Sequence, residues 1–200
     1  MAEIVLGIGC AHTPQLHTLA RDWDIRAARD RQDGVPFWYK GRKLPYAELE
    51  ALRRHEDIAS QLSMPIREKA LENSFAAMDR LHALYRQVDP DVVIIVGNDQ
   101  KEIFSGTIPA FAIIAAPAIA NMPRTAEQNA RLPAGIEIAD HGHLPDDHTD
   151  YPGHRALGLH LAGHLVREGG FDVTLCQAKP TVHGANSLLY GMPHAYGVLY

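Results

Sequence analysis

Histidine is the residue type that stands out in this chain, with 12 in 200 residues. His12 lies three residues after the short apolar run 3–9, and Asp99 and Gln100 lie two and three residues after the Val/Ile-rich run 91–97. In open α/β sheets, ligand sites form beyond the carboxyl ends of the strands. If the two runs are neighbouring parallel strands, these three side chains share one crevice. The alternatives are a histidine that caps a strand end and a polar turn that bonds its own backbone.

Other histidines cluster further along the chain. Segment 140–148 (DHGHLPDDH) combines imidazole and carboxylate groups, which suit Fe, Zn or Mn, although polar residues are also simply common in loops. His160 and His164 are spaced by four in a predicted helix. Leu161 follows His160, so the His-Glu-x-x-His zinc-protease pattern is absent, and a partly buried helix face is the favoured interpretation.

Three more histidines are candidates for handling protons or binding a metal. His183 and His194 lie near the end of the chain, where an imidazole could orient or protonate a substrate oxygen; a structural role is equally open. His55 lies in the charged segment 53–57 (RRHED), and we expect its side chain to be exposed to solvent.

Hydrophobic patterning predicts the elements that must position these residues. The β-branched run 91–97 is typical of a strand covered on both faces, as in parallel sheets flanked by helices. A helix is predicted where apolar residues recur at helical spacing. The expected fold is a single-domain α/β fold with a mostly parallel central sheet flanked by helices. Its predicted strands are 3–9, 91–97, 108–116 and 171–175, its main helices are 46–62, 66–88 and 153–168, and its long loops are the second part of 20–44 and 120–152.

Composition excludes several classes of protein. The net charge of −5 is unfavourable for general nucleic-acid binding, which needs a basic surface. The opening MAEIVLGIGC is too short an apolar run to span a membrane. Two cysteines, Cys10 and Cys176, are too few for a disulfide framework, so a reducing, cytoplasmic location is expected. The chain stops at Tyr200 within an apolar stretch. We therefore expect the domain over 1–200 to lack a C-terminal part.

Three stretches of the chain form a recognisable series of motifs. The first is GIGCAHTP at 7–14, in which a predicted strand ends in Gly-x-x-x-x-His-x-Pro. The second is PDVVIIVGND at 90–99, followed by Phe104 and the apolar IPAFAI at 108–113. The third is GFDVT at 170–174, after a predicted helix and before a His-Gly pair. In this order the three stretches resemble the class III extradiol dioxygenases, the superfamily of the catalytic (B) subunit of protocatechuate 4,5-dioxygenase.

The resemblance implies a non-haem Fe(II) held by two histidines and a glutamate, with open positions for a catecholate and O2. It implies that His12 is the first iron ligand and that Asp99 contacts substrate. Gln100 stands where the second family histidine is expected, so Gln100 itself, His55 or a loop histidine would complete the set. The substrate-side catalytic histidine matches His183 or His194, and the His-Ala-aromatic-Gly form favours His194. The Gly-Gly-x-Ser-His motif and later glutamate of the family are not in these 200 residues.

The resemblance thus implies a ring-opening dioxygenase of aromatic catabolism that acts on a small aromatic diol and O2. It also implies either a homo-oligomer or a small helical partner subunit, while the composition argues against a nucleic-acid or membrane partner. Two alternatives stay open. One is a metal-dependent hydrolase that uses a zinc-bound water, and the other is a non-catalytic relative, which the glutamine at position 100 favours.

Overall fold

The computed structural model describes residues 2–11, 13, 16, 18–32, 34, 36–97, 104, 106, 109–132, 135, 137–138 and 144–177. Internal contacts divide the chain into two compact units. The hairpin unit comprises His12–Leu81 and Arg131–Gly142, and the parallel-strand unit comprises Met1–Ala11, His82–Ala130 and His143–Tyr200. Within the described ranges, no helix is both long enough and apolar enough to cross a membrane.

The hairpin unit opens with a 3₁₀ turn at Ala20–Asp22 and helix α1 at Trp23–Asp30. Strands β1 (Pro36–Tyr39) and β2 (Arg42–Pro45) then pair antiparallel. Helix α2 spans Tyr46–Arg53, and 3₁₀ turns follow at Arg54–Glu56 and Ile58–Leu62. Helix α3 spans Met64–Val88, of which the part up to Leu81 belongs to this unit.

The hairpin lies where the sequence predicts a long loop, so that part of the prediction is wrong. Lys40 and Gly41 join the strands and both have positive φ, 48° and 78°. Positive φ at both central residues defines the tight hairpin turn that matches the twist of the strands. Lysine rarely adopts this conformation, which is why the sequence does not signal it. Leu44 is buried at 3% exposure, while Trp38 on the opposite strand is 70% exposed.

Predicted helix 46–62 is confirmed only for its first half. α2 ends at Arg53, and Asp57 takes a left-handed conformation with φ 49° between the two 3₁₀ turns. A left-handed residue cannot continue a right-handed helix. The predicted helix 66–88 is confirmed by α3, in which Leu71 is buried.

The parallel-strand unit contains strands β3 (Phe111–Ile114) and β4 (Ala118–Asn121), helix α4 (Ala126–Ala130) and strand β5 (Thr149–Pro152). Helix α5 (Arg155–Arg167) and strand β6 (Val173–Cys176) follow. β3 pairs with β6 in parallel, with Phe111 opposite Val173, and β4 pairs antiparallel with β5. The ladder of the parallel pair extends one step further, because the Ala115 N–H donates to the Cys176 carbonyl at 2.7 Å.

Helix α5 packs against the parallel pair through small residues. Gly158 and Ala162 are its buried residues, and Ala115 beside them is 0% exposed. A Cβ added at Gly158 would lie 2.9 Å from the Ala115 Cβ. Glycine is therefore needed at 158, because any side chain would push the helix away from β3.

Gly158→Ala is expected to destabilise the protein by about 1–2 kcal/mol, because overpacking outweighs the better helix propensity of alanine. Gly163→Ala on the same helix is the matched control. Its added Cβ meets only the guanidinium end of Arg167, at 2.9 Å, and this flexible side chain can move aside. The control should be neutral or stabilising by up to about 1 kcal/mol. Urea denaturation of both variants measures the difference, and equal effects would contradict the packing described for Gly158.

The architecture is a mixture of helices and strands with a small parallel pair. Predicted strands 108–116 and 171–175 are confirmed as β3 and β6, and helix 153–168 as α5.

Runs 3–9 and 91–97 belong to no strand in the described structure, and Ile4 and Val96 there are 93% and 91% exposed. β-branched composition favours a strand, but hydrogen-bonded partners are needed to form one. Segment 120–152, predicted as one long loop, contains α4 and β5.

Candidate functional site

Most of the predicted site residues lie outside the described residues. These are His12, Asp99, Gln100, His183 and His194, together with positions 140–143 of the histidine-rich segment. Their predicted roles stay predictions. The described residues include His55, His148 and the pair His160 and His164.

His55 lies in the 3₁₀ turn that follows α2 and is exposed, as predicted. Its Nδ1 lies 3.2 Å from the Leu52 carbonyl oxygen. Since a carbonyl oxygen only accepts, Nδ1 carries the hydrogen, and in the neutral ring Nε2 keeps its lone pair. Metal-binding histidines commonly show this arrangement, with one nitrogen bonded to a backbone carbonyl and the other directed to the metal. His55 therefore fits the role of a metal ligand.

The acidic neighbour of His55 is already engaged. Arg53 donates to both carboxylate oxygens of Glu56, from Nε at 2.8 Å and from Nη2 at 2.6 Å. The hydrogen bond from Arg53 lowers the pKa of Glu56. Glu56 thus serves as the partner of Arg53, and a metal at His55 needs its other ligands from elsewhere.

His148, in the described part of segment 140–148, pairs with a carboxylate. Its Nε2 lies 3.0 Å from Oδ1 of Asp150, and both side chains are half exposed or more. Such a pair fixes the ring orientation. Within the described ranges, no three His, Cys, Asp or Glu side chains come together in a group that could hold a metal ion.

His154 has a structural role that the sequence interpretation missed. Its Nδ1 accepts a hydrogen bond from the Leu157 N–H at 3.1 Å, so His154 caps the amino end of α5. The first backbone N–H groups of a helix have no partner within the helix. The signal in the sequence was the position of His154 at the very start of the predicted helix 153–168, one residue before the observed helix begins.

His160 and His164 are both exposed, so the prediction of a partly buried helix face is wrong. The buried residues of α5, Gly158 and Ala162, point to β3, and positions 160 and 164 lie on the opposite side of the helix. The two rings stack at 6.3 Å between centroids, with 19° between their planes.

Arg67 is a buried cation of α3 with one partner. Its Nη2 donates to Oδ1 of Asp24 at 2.9 Å, and its side chain is 10% exposed. Nε and Nη1 are buried without a hydrogen-bond partner in the described structure. The hydrogen bond from Arg67 lowers the pKa of Asp24.

Asp24→Asn is expected to lower stability at neutral pH and to lose this effect in acid. A carboxyl group whose pKa is lowered by folding stabilises the protein above its unfolded value of about 3.9. That contribution disappears as the pH falls through the lowered pKa of Asp24 in the folded protein. Urea midpoints of wild type and variant should therefore differ at pH 7 and converge at an acid pH below the lowered pKa of Asp24.

Glu72→Gln is the matched control, since Glu72 pairs with Lys69 on α3 but both side chains are more than 60% exposed. Exposed ion pairs contribute little to stability, so the urea midpoint of Glu72→Gln should equal that of the wild type at both pH values. A pH-independent effect of Asp24→Asn would contradict the role given to the Arg67–Asp24 pair.

One depression in the hairpin unit has a volume of about 250 Å³. Its wall includes Arg31, whose guanidinium carbon lies 5.7 Å from the centre of the Tyr46 ring. The Tyr46 hydroxyl donates to Glu50 at 3.5 Å. None of its lining residues in the described part of the chain is a histidine. The lining residues are Arg31, Gln32, Gly34, Pro45, Tyr46, Ala47 and Glu50.

No protein-family model, curated protein or solved structure matches this chain.

Proposed function

We propose that this chain is an extradiol-type dioxygenase, or part of one, that opens a catechol-type aromatic ring with O2 in an Fe(II)-dependent reaction. The proposal rests on the ordered resemblance of 7–14, 90–113 and 170–174 to the class III extradiol enzymes. It includes the wider α/β fold, in which the β3–β6 pair is the starting point of a mostly parallel sheet, and a cytoplasmic location.

One structural observation supports the proposal most. The second and third stretches of the resemblance are far apart in sequence, yet they meet as the parallel strands β3 and β6. Phe111 and Phe171, one from each stretch, contact edge to face at 5.0 Å between ring centroids. Parallel strands connected through a helix are the basic unit of the α/β folds that such enzymes use.

The proposed metal ligands are His12 and a group in place of the second histidine, either Gln100 or His55. Of these, the described residues include His55, whose exposed ring and Leu52-bound Nδ1 fit a ligand that binds through Nε2. Fe(II), when bound, would supply adjacent positions for the diol and O2 and a path for electron density between them. The glutamate that the resemblance implies is not part of this proposal for residues 1–200.

The remaining roles belong to groups of the chain itself. Asp99 would accept a hydrogen bond from a substrate hydroxyl, which orients the ring. His194, or His183 in its place, would hold or donate a proton at a substrate oxygen, because neutral and protonated imidazole are both populated near physiological pH. The substrate would be a small aromatic diol, and a second copy of the chain or a small helical subunit would be its protein partner.

The direct test is anaerobic loading of the full chain with Fe(II), followed by O2 and a panel of catechols, with O2 consumption and the yellow ring-fission product as readouts. We expect one O2 consumed for each ring opened. Stoichiometric iron without any product from any diol would contradict the proposal.

Gln100 favours a second candidate, a non-catalytic relative that has lost its metal, and a zinc-dependent hydrolase with the same fold is the other alternative. An amide oxygen binds Fe(II) more weakly than imidazole beside a histidine ligand. Metal analysis after gentle purification separates the candidates. Bound zinc without O2 uptake indicates the hydrolase, and a folded protein that neither retains nor takes up metal indicates a non-catalytic relative.

A further inference from the structure

We propose that His160 and His164 form a two-histidine site for a borderline divalent transition-metal ion, of the class of Cu2+, Ni2+ and Zn2+, on the exposed face of α5. This inference does not rest on the proposed function, since neither histidine belongs to the stretches that carry it.

The spacing and the ring geometry bring two ligands to one side of one helix. Residues four apart are neighbours on a helix surface, with Cβ atoms about 5–6 Å apart. The rings of His160 and His164 are nearly parallel, at 19°, and their centroids are 6.3 Å apart. A metal ion binds each imidazole nitrogen at about 2.0–2.1 Å, so a rotation of the two exposed rings lets one ion contact both.

Both imidazoles are available for this role. They are exposed, and in the described part of the chain neither is hydrogen-bonded to another residue. In contrast, His154 and His148 use a ring nitrogen for Leu157 and Asp150. The packed face of α5 lies at Gly158 and Ala162, so the ring rotation disturbs no buried contact and the remaining coordination positions stay open to water.

The electrostatic surroundings include one favourable helix end and two opposed charges. His164 lies in the last turn of α5, where the helix dipole favours a cation. The Glu168 N–H donates to the His164 carbonyl at 2.8 Å, so the acidic residue Glu168 follows one turn after His164. The guanidinium of Arg167 lies over Gly163, beside this face, and opposes a cation. Arg167 and Glu168 carry opposite charges at this end of the helix, and the imidazole ligands are the main source of affinity.

Imidazole pairs select the metal by the ordinary order of stability, in which Cu2+ binds most tightly among these ions. Most of the expected affinity comes from chelation, in which both imidazoles bind the same ion. The second imidazole binds an ion that the first already holds close by. Linking two weak ligands in this way typically raises affinity about a hundredfold or more. Loss of either histidine should therefore remove the whole gain.

The experiment is calorimetric titration of the full chain with Cu2+ and, separately, Ni2+ after removal of metals with a chelator. The variants are His160→Ala, His164→Ala and the double variant, with circular dichroism as the check on folding. We expect each single variant to bind the metal ion at the α5 site about a hundredfold more weakly than the wild type does. The double variant should lose no more than either single one. Independent additive losses, or a wild type that binds no more tightly than the single variants, would overturn the proposal.

Two controls separate chelation from the number of histidines. His148→Ala removes an exposed histidine outside α5 and should retain the site. The double change His160→Ala with Val166→His restores two histidines to α5, since Val166 is 50% exposed, but places them two residues apart on different faces. It should bind as weakly as His160→Ala alone. Recovery of tight binding in this variant would overturn the proposal as well.

Discussion

His12→Ala is expected to abolish Fe(II) binding and to reduce ring opening by at least about a thousandfold, while the protein keeps its fold. In the proposed function His12 is the first iron ligand. No side chain can replace iron in bringing the diol and O2 together, so loss of the iron should also remove the activity. A ligand at the end of an apolar run carries little packing, so the urea midpoint should change little. Iron content after anaerobic loading and O2 uptake with a catechol measure the effect.

His82→Ala is the matched control for His12→Ala. His82 is a histidine of α3 that lies in none of the stretches that carry the resemblance and is not among the candidate ligands. Its loss should leave iron content and O2 uptake unchanged. Retained iron and activity in the His12 variant would remove His12 from the metal site.

Gln100→His is expected to raise the affinity for Fe(II) by about tenfold to a hundredfold, the range by which groups around a metal commonly change its binding. The reason is that imidazole is a stronger ligand for Fe(II) than an amide oxygen. Competition with a chromophoric chelator under anaerobic conditions measures the change. An unchanged affinity would place Gln100 away from the metal.

His55→Ala identifies the ligand that completes the set. If His55 replaces the second family histidine, its loss should weaken iron binding in the wild type but matter less in the Gln100→His background. The two changes would then be non-additive, as expected for groups that share one site. Additive effects would show that the two residues do not act on the same metal ion.

The sequence was a good guide where local pattern and packing agree. The apolar stripe of α3 and the leucines of α5 predicted helices within a few residues of Met64–Val88 and Arg155–Arg167. β3 and β6 were predicted from short apolar runs, of which the second follows Gly169 and Gly170. The spacing of the apolar residues was enough to predict these elements, although the residues that become fully buried in α5 are the small Gly158 and Ala162 rather than the leucines.

The sequence was a poor guide where the outcome depends on partners far along the chain. The hairpin at Pro36–Pro45 depends on left-handed Lys40, which no common turn signal announces. Runs 3–9 and 91–97 have the composition of strands, but composition does not specify a neighbour.

Side-chain roles depended even more on the three-dimensional structure. The burial of Arg67 against Asp24 joins residues 43 apart in sequence, so local pattern carries no trace of it. The outward direction of His160 and His164 follows from which face of α5 meets β3. The predicted site residues themselves were chosen by resemblance and position, and these two criteria suggest roles without fixing distances.

The most direct test of the proposed function is anomalous X-ray scattering at the iron edge from crystals of the full chain grown anaerobically with Fe(II). We predict one strong iron peak in coordination contact with the His12 imidazole, with Gln100 or His55 as a second ligand. A fully loaded crystal whose iron lies away from His12, or whose His12 ring packs in the interior without metal, would contradict the proposed iron site and the dioxygenase function with it.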